Sequence, residues 1–189
     1  MKNTKLSILL SLLMVALVWS CDNDDPEPVN EEELITTVNV TFTNALDASD
    51  VATATFSDAD GEGGNAATIT NPTLRANTTY TVTIEFLDES DPSGVEDITE
   101  EIEEEDDGHQ IFFVAASGLN FQYSYEDQDG DGNPIGLTGT ATIGAASTGN
   151  LVVTLLHEPD KSATGVSAGD PSNAGGETDV EITFNVTIQ

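Results

Sequence analysis

The sequence predicts an all-β fold, an antiparallel β-sandwich of about seven to nine strands. Three observations support this prediction. Apolar and polar residues alternate over many short segments, which is typical of strands with one buried face. Gly, Asn, Asp and Pro are concentrated between these segments, as they are in turns. Thr fills many of the outward positions, in keeping with its preference for strands.

The strands are predicted in order from residue 34 to the end of the chain. Residues 111–114 form a short apolar run, and the other segments alternate. The architecture is immunoglobulin- or fibronectin-like, although the Cys…Trp…Cys pattern of immunoglobulin domains is absent. The residues that share a face in the alternating segments are Leu34, Val38, Val40 and Phe42; Ala52, Ala54 and Phe56; Tyr80, Val82, Ile84 and Phe86; Phe121, Tyr123 and Tyr125; Ile135, Leu137, Ala141 and Ile143; Leu151, Val153 and Leu155; and Val180, Ile182, Phe184, Val186 and Ile188.

One acidic segment departs from this alternation. Val95, Ile98 and Ile102 have helical spacing, and Ser93 stands where a helix N-cap is expected. Ile98 and Ile102 also fit a strand. We therefore expect a short helix or an irregular excursion over residues 95–104.

The chain begins with the pattern of a secretory signal. Lys2 and Lys5 precede an apolar stretch, residues 6–19, which is too short to span a bilayer comfortably. Cys21 follows and is the only cysteine. A lone thiol in an exported protein calls for an explanation. Residues 18–21 resemble a lipobox, so we expect a lipid on Cys21.

The sequence behind Cys21 is acidic and rich in Pro, which opposes folding and extends the chain. Asp22-Asn23-Asp24-Asp25 resembles the surface-export signal of Bacteroidetes lipoproteins. Residues 151–189, and less firmly 58–65, resemble small acidic lipoproteins of that group. The resemblance implies a β-sandwich lipoprotein of the outer membrane, at the cell surface or on the periplasmic face, and carries no activity. The predicted parts are a signal peptide (1–20), a flexible tether (21–33) and one domain (34–189).

The charge balance is strongly acidic. Without the signal, Arg75 and Lys161 are the only strong cations against 35 acids, a formal net charge of about −33. This charge argues against nucleic acid as a partner, since binding it needs a basic surface. It favours a bound cation, a salty medium or a basic partner surface. Plain solubility explains it equally well.

A calcium loop is the best local motif. Asp127, Asp129 and Asp131, followed by Gly132, match alternating oxygen ligands and the glycine of a sharp turn. Thr138 stands where a bidentate Glu is expected, and strands flank the loop, so this is no EF-hand. A hairpin loop that binds Ca²⁺ is one interpretation, and an acidic turn is the other.

Two histidines suggest a weaker transition-metal site. His109 precedes a predicted strand, and His157 ends another with Glu158 beside it. Imidazole suits Zn²⁺, and carboxylates can complete the shell. Successive loops alternate between the two ends of an antiparallel fold, so His109, His157 and the loop 127–134 should share one end. The start of the first strand joins them if residues 67–70 form a strand. Surface histidines bonded to nearby acids are the plainer alternative.

Three functions remain open on the sequence alone. The leading hypothesis is a lipid-anchored, non-enzymatic binding module whose acidic end holds a divalent cation. Its expected partner is an outer-membrane transporter or a surface glycan, on grounds of fold and location. A structural surface or adhesin domain with Ca²⁺-stabilised loops is the second hypothesis. A glycan-active hydrolase is the third and least supported, because no catalytic motif is present.

Overall fold

The computed structural model describes residues 33–61, 64–91 and 93–189, which fall within one compact unit, Glu32–Gln189. Cys21 and the tether residues before Glu33 lie outside the described residues. Eleven strands, one α-helix and two short 3₁₀ helices form the described part. Its strands are β1 (Thr37–Asn44), β2 (Val51–Ser57), β3 (Thr68–Thr70), β4 (Thr73–Leu74), β5 (Thr79–Asp88), β6 (Glu96–Asp97), β7 (His109–Ala115), β8 (Phe121–Tyr125), β9 (Thr138–Ile143), β10 (Ser147–His157) and β11 (Glu177–Ile188). Helix α1 is Ile98–Glu104, and the 3₁₀ helices are Val166–Ala168 and Pro171–Asn173.

The strands form two sheets, as the alternation predicts. The larger sheet has the order β3-β2-β1-β5-β9-β8, with β6 paired to β5. The smaller sheet has the order β4-β11-β10-β7, and only its β11–β4 pair is parallel. The predicted all-β sandwich is therefore confirmed. The strand count exceeds the prediction because β3, β4 and β6 are only two or three residues long.

A single main core lies between the sheets. It takes Val40, Phe42 and Ile84 from the larger sheet and Leu155 and Phe184 from the smaller one, all of them buried. Alternate residues of a strand face opposite sides. Most of the periodic positions read from the sequence are therefore buried in this core. Leu34 is an exception, because it lies before β1 and is 54% exposed, and Tyr125 is only partly buried. No helix in the described part of the chain is long and apolar enough to cross a membrane.

The helical excursion is present, but its start differs from the prediction. Helix α1 begins after Asp97, whose carboxylate accepts the Thr99 amide as an N-cap. Ser93 is not the cap, because its amide and hydroxyl both donate to Asp91 in a tight turn. Ile98 and Ile102 are buried as expected, so this apolar pair belongs to a helix and not to a strand. Val95 was expected to share their helical face, but it lies before the helix and is 58% exposed.

Strand β9 starts later than the sequence suggests. Gly136 has φ +103°, and a Cβ atom there would lie 2.8 Å from the Ile111 carbonyl oxygen. This backbone turn keeps Ile135 and Leu137 buried outside the strand, which begins at Thr138. Alternation of buried residues therefore extends beyond the strand itself.

Candidate metal centre at one end of the sandwich

His109 and His157 are brought together by strand pairing. His109 is the first residue of β7, His157 is the last residue of β10, and the two are register partners. Their rings stack with centroids 4.7 Å apart and planes inclined by 21°. Strand counting predicts this shared end, and the stacked pair confirms it. Both residues continue the inward face of the smaller sheet, two positions beyond Ile111 and Leu155 of the core.

A β-bulge brings an acid to the same place. The register of β10 with β11 shifts between Leu155, which pairs with Val180, and Leu156, which pairs with Thr178. Asp179 is the extra residue. A bulge bends its strand and redirects a side chain, often beside functional sites. One oxygen of the Asp179 carboxylate is buried here.

The segment that leads into the larger sheet contributes the first described residue. Glu33 leads into β1, and its Oε1 lies 3.2 Å from Nε2 of His109. The start of the first strand therefore shares the end that holds the histidines. This outcome follows the sequence prediction, because residues 68–70 do form a strand. The side chain of Glu33 is only 10% exposed.

The His109 ring is fully buried and has two different neighbours. Its Nδ1 lies 3.0 Å from the backbone carbonyl of Glu105. A carbonyl can only accept, so Nδ1 carries the proton of this hydrogen bond. On the other side, Nε2 and Glu33 are at ion-pair distance without hydrogen-bond geometry. In the neutral ring, Nε2 therefore presents its lone pair toward a buried carboxylate.

The surroundings of His109 and Glu33 favour the charged forms of both side chains. Burial alone would lower the pKa of His109, but the Glu33 contact, the Glu105 carbonyl and the charge of Asp179 together raise it. The pKa of Glu33 is lowered, first by its contact with His109, against burial, and further by the charges of both histidines. Glu33 is therefore an anion facing His109, as a metal ligand must be.

Two sets of three ligand atoms surround this ring, and we call their five residues the His109 centre. Glu33, His109 and Asp179 form one set, and Glu105, His109 and His157 form the other. Within each set the ligand atoms lie within 4.8 Å of one another. Bonds to Zn²⁺ are roughly 2.0–2.2 Å long, so atoms at such separations are candidates to share one ion. His109 is common to both.

The sequence-predicted ligands are only partly those of the centre. Glu158 belongs to neither set, because it is exposed and its φ of +50° turns the chain there. Glu33, Glu105 and Asp179 were not singled out by the sequence. Glu33 closes a run of three similar acids, and Asp179 depends on a bulge, so neither carries a local signal.

In the predicted calcium loop, the carboxylates of Asp127 and Asp129 accept hydrogen bonds from backbone amides. Both oxygens of Asp127 accept backbone amides, those of Gly136 and Thr138. Asp129 is buried, and its Oδ1 accepts the amides of Asp131 and Asn133. The carboxylate of Asp131 is exposed. Calcium binding by Asp127, Asp129 and Asp131 stays a prediction, and these bonds weigh against it.

A lysine occupies the position of a cation in that loop. Nζ of Lys161 lies 3.0 Å from Oδ2 of Asp129, and both side chains are at most 5% exposed. The same ammonium donates to the backbone carbonyl of Asp106. We call Lys161, Asp129 and the Asp106 carbonyl the Lys161 cluster. It ties the loop 127–134 to the end that holds the histidines.

A separate groove bears on the hydrolase hypothesis. It has a volume of about 450 Å³ and lies between β1, β5 and helix α1. Its lining is polar and acidic, and an acidic lining alone names no ligand. The lining residues, none of which belongs to the His109 centre, are Asn39, Thr41, Thr83, Ile84, Glu85, Asp97, Thr99, Glu100 and Glu103.

Any conclusion about function has to rest on the chemistry of the His109 centre, because fold alone does not imply function. Comparison with protein-family models, with curated proteins and with solved structures found no match.

Proposed function

We propose that this chain is a non-enzymatic binding module that holds a divalent transition-metal ion, of the Zn²⁺ class, at the His109 centre. A single observation carries the proposal. His109 is fully buried, and its Nε2 faces the Glu33 carboxylate at 3.2 Å without hydrogen-bond geometry. Buried polar atoms normally have a hydrogen-bond partner, and Nε2 of His109 and Oε2 of Glu33 have none among the described residues, so these two atoms call for an explanation. A metal ion between them supplies one.

The arrangement of the ring resembles that of ligating histidines. Such a histidine usually donates its second ring N–H to a carbonyl or carboxylate, which fixes the tautomer and the ring orientation. The Glu105 carbonyl provides this contact at Nδ1 of His109. A mixed set of imidazole and carboxylate ligands favours Zn²⁺ over Ca²⁺, because Ca²⁺ takes oxygen ligands.

The charge of the chain supports a cation at this end. Arg75 and Lys161 are the strong cations after residue 21, and both are paired, with Asp50 and Asp129 respectively. The protein therefore has no further Lys or Arg after residue 21 with which to neutralise the carboxylates of the His109 centre. Counter-charge there must come from the histidines themselves or from solution.

Calorimetric titration and thermal unfolding of the purified full chain test the proposal. We expect Zn²⁺ to bind and to raise the melting temperature, since a ligand of the native state stabilises it by about 2.7 kcal/mol at one hundred times its Kd. Ca²⁺ should stabilise less. His109→Gln should abolish the response to Zn²⁺.

Glu158→Gln is the matched control, because it removes a charge at the same end outside both ligand sets. It should leave Zn²⁺ binding unchanged. Absence of both heat and a melting shift with Zn²⁺ in the wild-type chain would overturn the proposal. So would a full response in His109→Gln.

The proposal places this module on the cell envelope, tethered by a lipid on Cys21. A tether of about a dozen residues spans at most roughly 40 Å, so the metal site would work close to a membrane. An outer-membrane transporter or a surface glycan is the proposed partner class. Mass spectrometry of the mature N-terminal peptide tests the anchor, and an unmodified Cys21 thiol would contradict it.

A further inference from the structure

The two ligand sets of the His109 centre make different demands on the shared ring. In the set with Glu105 and His157, Glu105 is exposed, and its hydrogen bond with the ring is through its backbone carbonyl, which accepts from Nδ1 of His109. In the set with Glu33 and Asp179, Nε2 is the available nitrogen, and Glu33 already faces it. Because Nδ1 carries the proton of the neutral ring, Nε2 is the nitrogen that can ligate, and Glu33 already faces it, so the second set is favoured.

We propose that the ion is held by Glu33, Nε2 of His109 and Asp179, and that it fastens the start of the larger sheet to the end of the smaller one. This inference rests on the proposed function and adds its ligand set and its structural consequence. Glu33 leads into β1, His109 begins β7, and Asp179 lies at the bulge of β11. One ion would therefore join the segment that leads into the larger sheet to two strands of the smaller sheet.

The segment at Glu33 has few other attachments. Among the described residues, the backbone hydrogen bonds of this segment begin at Thr36, whose amide donates to the Leu87 carbonyl. Leu34 is 54% exposed. The second oxygen of Glu33, Oε2, is buried and has no partner among the described residues. Ile35 packs against the core, so the contact described for the beginning of this segment is that of the Glu33 side chain.

Asp179 owes its place to the bulge. Without the extra residue, the regular alternation of β11 would put the inward position at residue 178 and leave residue 179 facing outward. The bulge lets an acid meet the inward-facing His109, and its charge is felt by the ring. A bulge that brings an acid to a buried imidazole is in keeping with the frequent occurrence of bulges beside functional sites.

Zn²⁺ titration of matched amide variants of the full chain tests the ligand set. We expect Glu33→Gln and Asp179→Asn to weaken Zn²⁺ binding at least about tenfold. Glu105→Gln, which keeps the backbone carbonyl that orients His109, should change the Kd by less than about threefold. Thermal unfolding in EDTA would show that each variant folds.

The outcomes separate this inference from the proposed function. No Zn²⁺ binding by the wild-type chain would overturn both. Zn²⁺ binding that survives Glu33→Gln but is lost in Glu105→Gln would leave the proposed function standing and overturn this ligand set. Long-range ¹H–¹⁵N spectra give a second readout, and Zn²⁺ on Nδ1 of His109 in place of Nε2 would also overturn it.

Hydrogen exchange tests the fastening itself. We expect Zn²⁺ to slow amide exchange at residues 34–36 in the wild-type chain, because the ion adds an attachment one residue before them. The same concentration should leave exchange there unchanged in Glu33→Gln. Equal exchange at these amides with and without Zn²⁺, in a wild-type chain that binds Zn²⁺, would overturn the fastening.

Discussion

The Lys161 cluster and the His109 centre lie at the same end of the sandwich and differ in how their buried charges are satisfied. In the Lys161 cluster, the ammonium meets the Asp129 carboxylate and the Asp106 carbonyl. In the His109 centre, Nε2 of His109 and Oε2 of Glu33 have no hydrogen bond among the described residues. The more convincing sequence motif thus belongs to the cluster that the protein completes by itself. The proposed ion is inferred from these unmet buried atoms beside His109, and not from the sequence motif.

The two sites also share a support. Helix α1 ends at Glu104, and the next two residues give their carbonyls to the two sites. Glu105 accepts from His109, and Asp106 accepts from Lys161. The short segment after the helix therefore positions a protein cation on one side and the proposed metal ligand on the other.

Removal of the ammonium should have the largest effect on stability. We expect Lys161→Met to lower the free energy of unfolding by about 3–5 kcal/mol, because it leaves the buried Asp129 carboxylate without its counter-charge. The double variant Lys161→Met with Asp129→Asn should recover most of the loss, because Asn removes the unpaired charge and keeps an oxygen that accepts the amides of Asp131 and Asn133. Urea unfolding of the full chain measures both.

Arg75→Met is the matched control, since it removes the other strong cation after residue 21. Arg75 pairs with Asp50 but is 69% exposed, so its loss should cost less than about 1 kcal/mol. Ca²⁺ sharpens the comparison. If Lys161 stands in for an ion, Ca²⁺ should stabilise Lys161→Met more than the wild-type chain. A large Ca²⁺ effect on the wild-type chain, lost in Asp131→Asn, would show instead that the loop binds calcium beside the lysine.

The sequence alone was enough to predict that the two histidines lie at the same end of the sandwich. Strand alternation is a local signal, and antiparallel connection converts a count of strands into a position at one end or the other. His109 and His157 therefore meet where counting predicts. The start of β1 follows by the same count, once residues 68–70 are a strand.

The residues that contact these side chains could not be predicted from the sequence. Asp179 reaches His109 through a bulge, and a single inserted residue leaves no mark on the alternation of β11. Lys161 meets Asp129 across 32 positions of chain, and the loop between β10 and β11 that carries it has no periodic pattern. The calcium motif shows where carboxylates concentrate, but hydrogen bonds from distant residues decide what they do.

Acid should also reduce the stability that the Lys161 cluster contributes, by less than Lys161→Met does. Burial would raise the pKa of Asp129, but the Asn133 amide and the contact and charge of Lys161 together hold it below its ordinary value of 3.8. A lowered pKa means that stability from Asp129 is fully present above about pH 3.8 and is lost as pH falls through the folded-state value. Between pH 5 and pH 2, wild-type stability should fall more than that of Asp129→Asn.

Comparison of variants is needed because acid also relieves the repulsion among the many other carboxylates. Asp131→Asn is the control for this prediction, since it removes an exposed acid of the same loop. Its stability should follow the wild-type pH dependence. Parallel curves for the wild-type chain and Asp129→Asn would mean that the buried ion pair does not prefer the charged carboxylate.

The smallest expected effect tests whether α1 supports both sites. Asp97→Ala removes the N-cap and should cost about 1 kcal/mol, whereas Ser93→Ala should stay within about 0.5 kcal/mol. If the end of the helix positions Asp106 for Lys161, the losses in Asp97→Ala and Lys161→Met should not add in the double variant. A coupling of at least about 0.5 kcal/mol in urea unfolding is the expected sign. Strict additivity would mean that the Lys161 cluster holds the segment after α1 unaided. The His109 centre would then depend on that cluster, and not on the helix, for the position of its Glu105 carbonyl.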